Sequence, residues 1–276
     1  MEDFKGKVAV ITGAASGIGK ALARHCVAQG MNVAIADLYL EGLSALAQEL
    51  ETQGAQVVSA SVDVSDMAAM QAFAERCVAE LGAVSLLFNN AGILQVGQTW
   101  EHTAGEWEKI LSVNVMGVVN GLTAFVPGMI AAGMPAQIVN TGSVGSLVAA
   151  PGMAQYTACK MAVRGITESL AYDLAAAGPH IDVSLLCPGP VSTPISDGLL
   201  GIAAGSEESA ANVRMMEEQP DFITADECAA RVFKAIRERR FWIFTHPFSE
   251  YYRRNSAAIA DGINPVFTDV VFDEGL

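Results

Sequence analysis

The sequence predicts an α/β protein built on a doubly wound parallel sheet of about seven strands, with helices on both faces. Short β-branched runs that are apolar throughout alternate with longer stretches of helical periodicity. Strands apolar on both faces need cover on both. Helical crossovers of a parallel sheet provide it, with a right-handed turn each time. The 276 residues are 51% hydrophobic and only 17% charged, enough for a large core and far from the composition of a disordered chain.

Each element has its own signal. Val8–Thr12 reads as a strand and Ile18–Gln29 as a helix closed by Gly30. Asn32–Ala36 is the next strand, and Leu40–Gln53 is helical with Gly54 just past its end. Gln56–Ser61 is a third strand, and Asp66 caps a helix that runs to Leu81 and stops at Gly82. Val84–Phe88 is a fourth strand, and one long helix covers Ala104–Ala132. Gln137–Thr141, the helix Ala154–Ala177 and the strand Ile181–Leu186 follow. Residues 189–223 read as a substrate loop, irregular or with short helices. Thr224 opens a helix to Glu238, and Phe241–Phe244 is the last strand. The whole of 1–276 is expected to be one domain, with a C-terminal extension over about 246–276.

Charge narrows the possible partners. With 16 Lys+Arg against 30 Asp+Glu the net charge is −14, so nucleic acid and anionic membrane would both repel the chain. No run of 18 apolar residues suggests a membrane span. The opening MEDFKGKVAVITG is acidic and holds only a five-residue apolar run, so it does not read as a secretory signal. Cys26, Cys77, Cys159, Cys187 and Cys228 are scattered and odd in number, which fits reduced thiols in a cytoplasmic protein. His25, His102, His180 and His246 lie far apart, so no metal site is expected.

The motifs fall at the carboxyl ends of predicted strands, where ligands of doubly wound sheets sit. After the first strand comes Thr12-Gly13-Ala14-Ala15-Ser16-Gly17-Ile18-Gly19. Its glycines let the backbone turn tightly and approach a pyrophosphate at a helix N-terminus. The second strand ends at Asp37, eighteen residues after Gly19. A carboxylate there accepts hydrogen bonds from ribose hydroxyls and repels a 2′-phosphate. No Arg or Lys lies within Gly13–Gly19 or Ala36–Leu40, so the expected cofactor is NAD. Asp63-Val64 follows the third strand and Asn89-Asn90-Ala91-Gly92 the fourth, where small residues permit close packing of a cofactor.

Tyr156 and Lys160 are four apart on a predicted helix and share a face. A nearby ammonium favours the phenolate, so Lys160 is expected to lower the tyrosine pKa and make it a usable base. Ser143, thirteen residues before Tyr156, is placed to hold a substrate oxygen. Asn114 lies inside the long helix, an odd place for a short polar side chain unless it holds water or backbone.

On these residues the chain resembles the short-chain dehydrogenase/reductase family over about residues 5–245. The matching motifs are TGxxxGxG at Thr12–Gly19, NNAG at Asn89–Gly92, Ser143 with Tyr156-x-x-x-Lys160, and Pro188-Gly189-Pro190-Val191-Ser192-Thr193-Pro194. The resemblance implies a Rossmann-like fold with Tyr156 as general acid/base and Ser143 orienting the substrate oxygen. It gives Lys160 the nicotinamide ribose and the tuning of the tyrosine, and Asn114 a water of the proton relay. It also brings Val191 and Thr193 to the nicotinamide carboxamide and Asp63-Val64 to the adenine.

The expected pocket walls are Leu94–Trp100, Val144–Met153 and Ile195–Met216. They offer Leu94, Val96, Leu147, Val148, Met153, Leu199, Leu200, Met215 and Met216, and among cations only Arg214. Such walls suit a hydrophobic alcohol or ketone. The tail FTHPFSEYYRRN weakly resembles that of relatives oxidising bulky aromatic or polycyclic secondary alcohols. A 3-ketoacyl reductase acting on acyl-carrier or CoA substrates is disfavoured by Asp37 and the missing cations. A non-catalytic dinucleotide sensor could dispense with Tyr156 or Lys160. The helices Ala104–Ala132 and Ala154–Ala177 carry more apolar surface than one sheet face covers. Ile110, Val113, Val118, Leu122, Phe125, Met161, Ile166, Leu170 and Leu174 are the examples, so a homotetramer or dimer is expected.

Overall fold

Strand and helix alternate along the computed structural model, which describes residues 3–265 and 267. The end of the expected extension 246–276 therefore lies outside the described residues. β1 (Val8–Thr12) runs into α1 (Gly17–Ala28), β2 (Asn32–Asp37) into α2 (Leu40–Thr52), and β3 (Val57–Ser61) into α3 (Met67–Leu81). β4 (Val84–Asn89) is followed by α4 (Ala104–Leu111), a π turn over Ser112–Met116, and α5 (Gly117–Ala132). β5 (Ala136–Thr141) leads to α6 (Ala154–Ala177) and then β6 (Ile181–Cys187). The substrate loop folds as β7 (Val191–Ser192), α7 (Asp197–Leu200), α8 (Glu207–Glu217) and β8 (Ile223–Thr224). α9 (Ala225–Arg237), β9 (Trp242–Phe244) and α10 (Ser249–Ala260) complete the described chain.

Seven strands form one sheet in the order β3-β2-β1-β4-β5-β6-β9, every neighbouring pair parallel. The order grows in one direction from β1 through β3 and in the other from β4 onward. The gap between the ends of β1 and β4 is thus the topological switch point. Alternation along β1 divides its side chains between two cores. Ala9 and Ile11 pack with Leu22, Leu43, Leu46 and Phe233 under α1, α2 and α9. Val8 and Val10 pack with Met70, Phe73, Phe125 and Leu174 under α3, α5 and α6. This is the two-sided cover that the apolar strands demand.

The caps explain where helices begin. The Asp66 carboxylate accepts from the Ala68 and Ala69 amides, satisfying two orphan donors of α3. Thr224 and Glu227 form a reciprocal capping box on α9, and Thr103 and Glu106 do the same on α4.

Three expectations need correction. The helix over 104–132 is not uniform, because a π turn interrupts it at Ser112–Met116. The tail, which carried no readable motif, forms the twelve-residue helix α10. Several residues offered as surplus apolar surface, namely Ile110, Val118, Phe125 and Leu174, are buried within the chain itself. Met161, one of the expected residues, is exposed, and Leu111, Met116 and Tyr172 join it as the large apolar side chains exposed on α4 to α6.

Candidate active site

The site begins at the turn between β1 and α1. Gly13 has φ +65°, and a Cβ there would lie 2.8 Å from the Ala91 Cα; a Cβ at Gly19 would meet the Gly13 carbonyl at 2.0 Å. Only glycine permits this approach of the two strand-end turns. Thr12 ties them further: its Oγ1 accepts from the amides of Asn90 (3.0 Å) and Ala91 (3.1 Å). The Asn90 side chain donates back to the Thr12 carbonyl at 3.1 Å. Ser16, at the start of α1, makes no side-chain cap, so the first amides of that helix face the open turn.

Asp37 is held at the lip of β2. Its Oδ2 accepts from the Ala15 amide and its Oδ1 from the Tyr39 amide, each at 2.9 Å. Two amides fix the carboxylate while leaving each oxygen a further acceptor site.

From Asp37 a cavity of about 630 Å³ crosses the switch point to Tyr156 and Lys160. Its wall includes Gly13, Ser16, Gly17, Ile18, Asp63, Val64, Asn90, Ala91, Gly92 and Thr193. At the far end it meets Ile93, Leu94 and Ile195. A backbone cradle at a free helix N-terminus, a fixed carboxylate at one end and a tyrosine–lysine pair at the other fit a dinucleotide spanning the switch point.

Some expected residues stand behind this wall instead of in it. Gly19 is buried beneath the turn, and the Val191 side chain packs into the core under α1 and α9. Asn114 is fully buried in the π turn. Its Oδ1 accepts from the Ile93 amide at 2.8 Å and its Nδ2 donates to the Ile93 carbonyl at 2.9 Å. The interrupted helix thus presents a side-chain amide to the chain leaving β4, a recurrent use of π turns near functional sites. Leu147 and Val148 are likewise buried, packed with Phe248 and Tyr251, and only Leu94 of the nine expected apolar wall residues lines the cavity.

α6 carries the tyrosine–lysine pair. Lys160 is buried, and its Nζ donates to the Thr141 carbonyl at 2.8 Å. The same ammonium sits 5.4 Å from the Tyr156 ring centroid. Ser143 stands near enough to the Tyr156 hydroxyl to oppose the rise of its pKa, and its Oγ accepts from the Gly145 amide at 3.1 Å. Burial pushes the phenol up to about 12, with the Ser143 contact opposing. Burial also pulls Lys160 down to about 8. In the chain alone the tyrosine pKa is therefore raised by burial, with the Ser143 contact the one influence that lowers it, where the sequence led us to expect a lowering by Lys160.

Thr12 and Thr141 are residues holding the site together that sequence reasoning passed over. Thr12 stood inside a recognised motif without a role. Thr141 acts through its main-chain carbonyl, which no residue type announces.

A family profile described as short chain dehydrogenase matches residues 7–200. The chain is 35% identical over 280 residues to a CLA biosynthesis dehydrogenase/reductase of Lactiplantibacillus plantarum, covering 98% of this chain and 96% of that protein. It is 36% identical to a cyclohexanol dehydrogenase of an Acinetobacter species, covering 70% and 76%. A short chain dehydrogenase/reductase from Burkholderia phymatum, solved in complex with NAD, superposes with a TM-score of 0.88 at 37% identity, covering 98% and 100%. Another from Burkholderia cenocepacia J2315, solved with NADP, gives a TM-score of 0.73 at 29% identity, covering 88% and 96%.

Proposed function

The chain belongs to the short chain dehydrogenase family, and on that premise we propose that it interconverts a hydrophobic secondary alcohol and its ketone with NAD(H). That it is a nicotinamide-dependent oxidoreductase of small alcohols and ketones follows from the family. The choice of NAD and the nature of the substrate are our reading. One observation carries it: a single cavity joins Asp37 at one end to Tyr156 and Lys160 at the other.

The dinucleotide, when bound, supplies the hydride acceptor or donor. The chain's own residues handle position and the proton. The Ser143 hydroxyl holds the substrate oxygen beside the Tyr156 hydroxyl. In oxidation the Tyr156 phenolate takes the hydroxyl proton of the alcohol as the carbinol hydrogen leaves as hydride, and in reduction the Tyr156 phenol gives its proton to the ketone oxygen. The buried Lys160 ammonium, anchored on the Thr141 carbonyl, stabilises the phenolate when it forms. Asn114 holds Ile93 and so fixes the chain that forms the apolar end of the cavity.

Ile93, Leu94 and Ile195 at that end support a hydrophobic substrate, as do relatives named for cyclohexanol and for CLA biosynthesis. Bulky aromatic or polycyclic secondary alcohols are the class we favour. The reading includes one dinucleotide-binding domain in a reducing, cytoplasmic setting, supported by five cysteines that are all unpaired and buried. It also includes a dimer or tetramer. Leu111, Met116, Met161 and Tyr172 give α4 to α6 exposed apolar side chains for a second copy to cover. Initial rates with NAD⁺ and a panel of secondary alcohols graded in size and polarity test the proposal. Turnover rising with apolar bulk supports it, and turnover confined to acyl thioesters refutes it.

A further inference from the structure

The residues after β9 turn back into the protein and meet the turn that follows β6 at Gly189. Thr245 and His246 are both buried. Thr245 Oγ1 accepts from the Gly189 amide at 3.0 Å and lies 2.8 Å from His246 Nδ1. His246 Nε2 is 3.1 Å from the Asp221 carbonyl oxygen. The Arg231 guanidinium of α9 donates to the Thr245 carbonyl.

For a neutral ring, these contacts allow one proton arrangement. A carbonyl can only accept, so Nε2 carries the imidazole proton and donates to Asp221. Nδ1 is then an acceptor, and the Thr245 hydroxyl must donate to it. That leaves a lone pair of Oγ1 for the Gly189 amide. Burial lowers the pKa of His246, which favours the neutral ring. The imidazole also lies against Gly189, where a Cβ would sit 2.6 Å from Nδ1. Glycine is needed here because of the ring.

The turn that this chain of bonds holds borders the cavity. Pro188 and Thr193 both line it. The Pro188 carbonyl accepts from the Val144 amide at 3.0 Å, one residue from Ser143. The Pro190 carbonyl accepts from Ile223 at 3.2 Å, and β7 pairs with β8 at the end of the substrate loop. The turn is therefore clamped at the serine side, at the substrate loop and at the Thr245–His246 pair. The same C-terminal stretch continues into Phe248 and Tyr251, which pack on Leu147 and Val148 just beyond Ser143.

We propose that Thr245 and His246 are positioning residues for hydride transfer, fixing the Pro188–Thr193 turn that lines the same cavity as Tyr156. This rests on the functional reading above and adds residues to it that touch neither substrate nor cofactor. Catalytic geometry tolerates little: a displacement of about 1 Å can cost roughly 100-fold in rate.

The test compares Thr245→Val, which is close in shape but cannot accept from Gly189 or donate to His246, with Thr245→Ser, which can do both. Two readouts need no turnover. Hydrogen exchange at the Gly189 amide in the cofactor-free protein should accelerate at least about tenfold in Thr245→Val, and NADH, followed by its own fluorescence, should bind about tenfold more weakly. With an alcohol that the unmutated protein oxidises, kcat should fall roughly 10- to 100-fold with little change in alcohol KM. Thr245→Ser should restore all three. Unchanged Gly189 exchange overturns the proposal, because the bond is then not what holds the turn. Faster exchange with NADH affinity and kcat both within twofold of the unmutated protein overturns it too. Absence of turnover in the unmutated protein would count against the functional reading alone, and the exchange and NADH readouts would still decide this one.

Discussion

At the scale of single residues the proposed chemistry rests on Tyr156. Replacing it with Phe removes one hydroxyl and little volume, so NADH binding should persist while kcat falls. General acid–base catalysis is worth typically 10²–10⁴-fold, and retention of more than about a tenth of kcat would remove Tyr156 from the mechanism. The pH dependence follows from two opposed shifts. The phenol is pushed up to about 12, so it stays protonated, as ketone reduction requires, through the neutral range. Lys160 is pulled down to about 8, so its charge is present below that pH and lost above it. Reduction should therefore decline as pH rises through about 8, and Lys160→Met should abolish that inflection in a pH–rate series. An inflection unmoved by the mutation would assign it elsewhere. The residue types at this site were legible in the sequence because Tyr156 and Lys160 are close along one helix. The direction of the tyrosine shift was not, because desolvation depends on how tightly distant segments close over the ring. Thr12 was overlooked for a related reason: its partners lie 78 and 79 residues away.

At the scale of elements, local signals marked most boundaries to within a residue or two. Asp66, Gly82, Gly30 and Thr224 act where their chemistry suggested. Asp66→Ala should remove the cap of α3 and lower stability by about 1 kcal/mol, with kcat unchanged. A thermal melt within error of the unmutated protein would show that the two amides find other partners. The π turn was illegible because nothing in the 3.6-residue periodicity records an extra residue per turn. It coincides with a long-range pairing of Asn114 with Ile93, 21 residues earlier. α10 was missed for want of a strong apolar stripe: among its residues only Tyr251 is buried. Its packing partners Leu147 and Val148 come from the other end of the catalytic half.

At the scale of the whole molecule, the sheet order places the ends of β1 and β4 at the switch point, and the motif residues gather there. The alternation of apolar strands and helices was enough to foresee this. The surplus apolar surface was foreseen with several wrong members, since a periodic stripe does not reveal which part of it the sheet covers. If Leu111, Met116, Met161 and Tyr172 meet a second copy, light scattering at micromolar concentration should give a dimer or tetramer, and a stable monomer would contradict it. Cofactor choice is also a property of the assembled surface. Asp37 opposes a 2′-phosphate, while Lys20 and Arg24 line an adjoining cavity across Ser16 and Gly17. Glu41, Asp197, Glu217 and Asp226 line that cavity as well, so acids outnumber bases there and Asp37 should prevail. The most direct test of the account compares initial rates of oxidation of one bulky secondary alcohol with NAD⁺ and NADP⁺, in the unmutated protein and in Asp37→Ala. Because like-charge contacts cost several kcal/mol, kcat/KM should favour NAD⁺ by roughly 100-fold or more, and Asp37→Ala should narrow that margin at least about tenfold. Equal turnover with both cofactors in the unmutated protein would contradict the account.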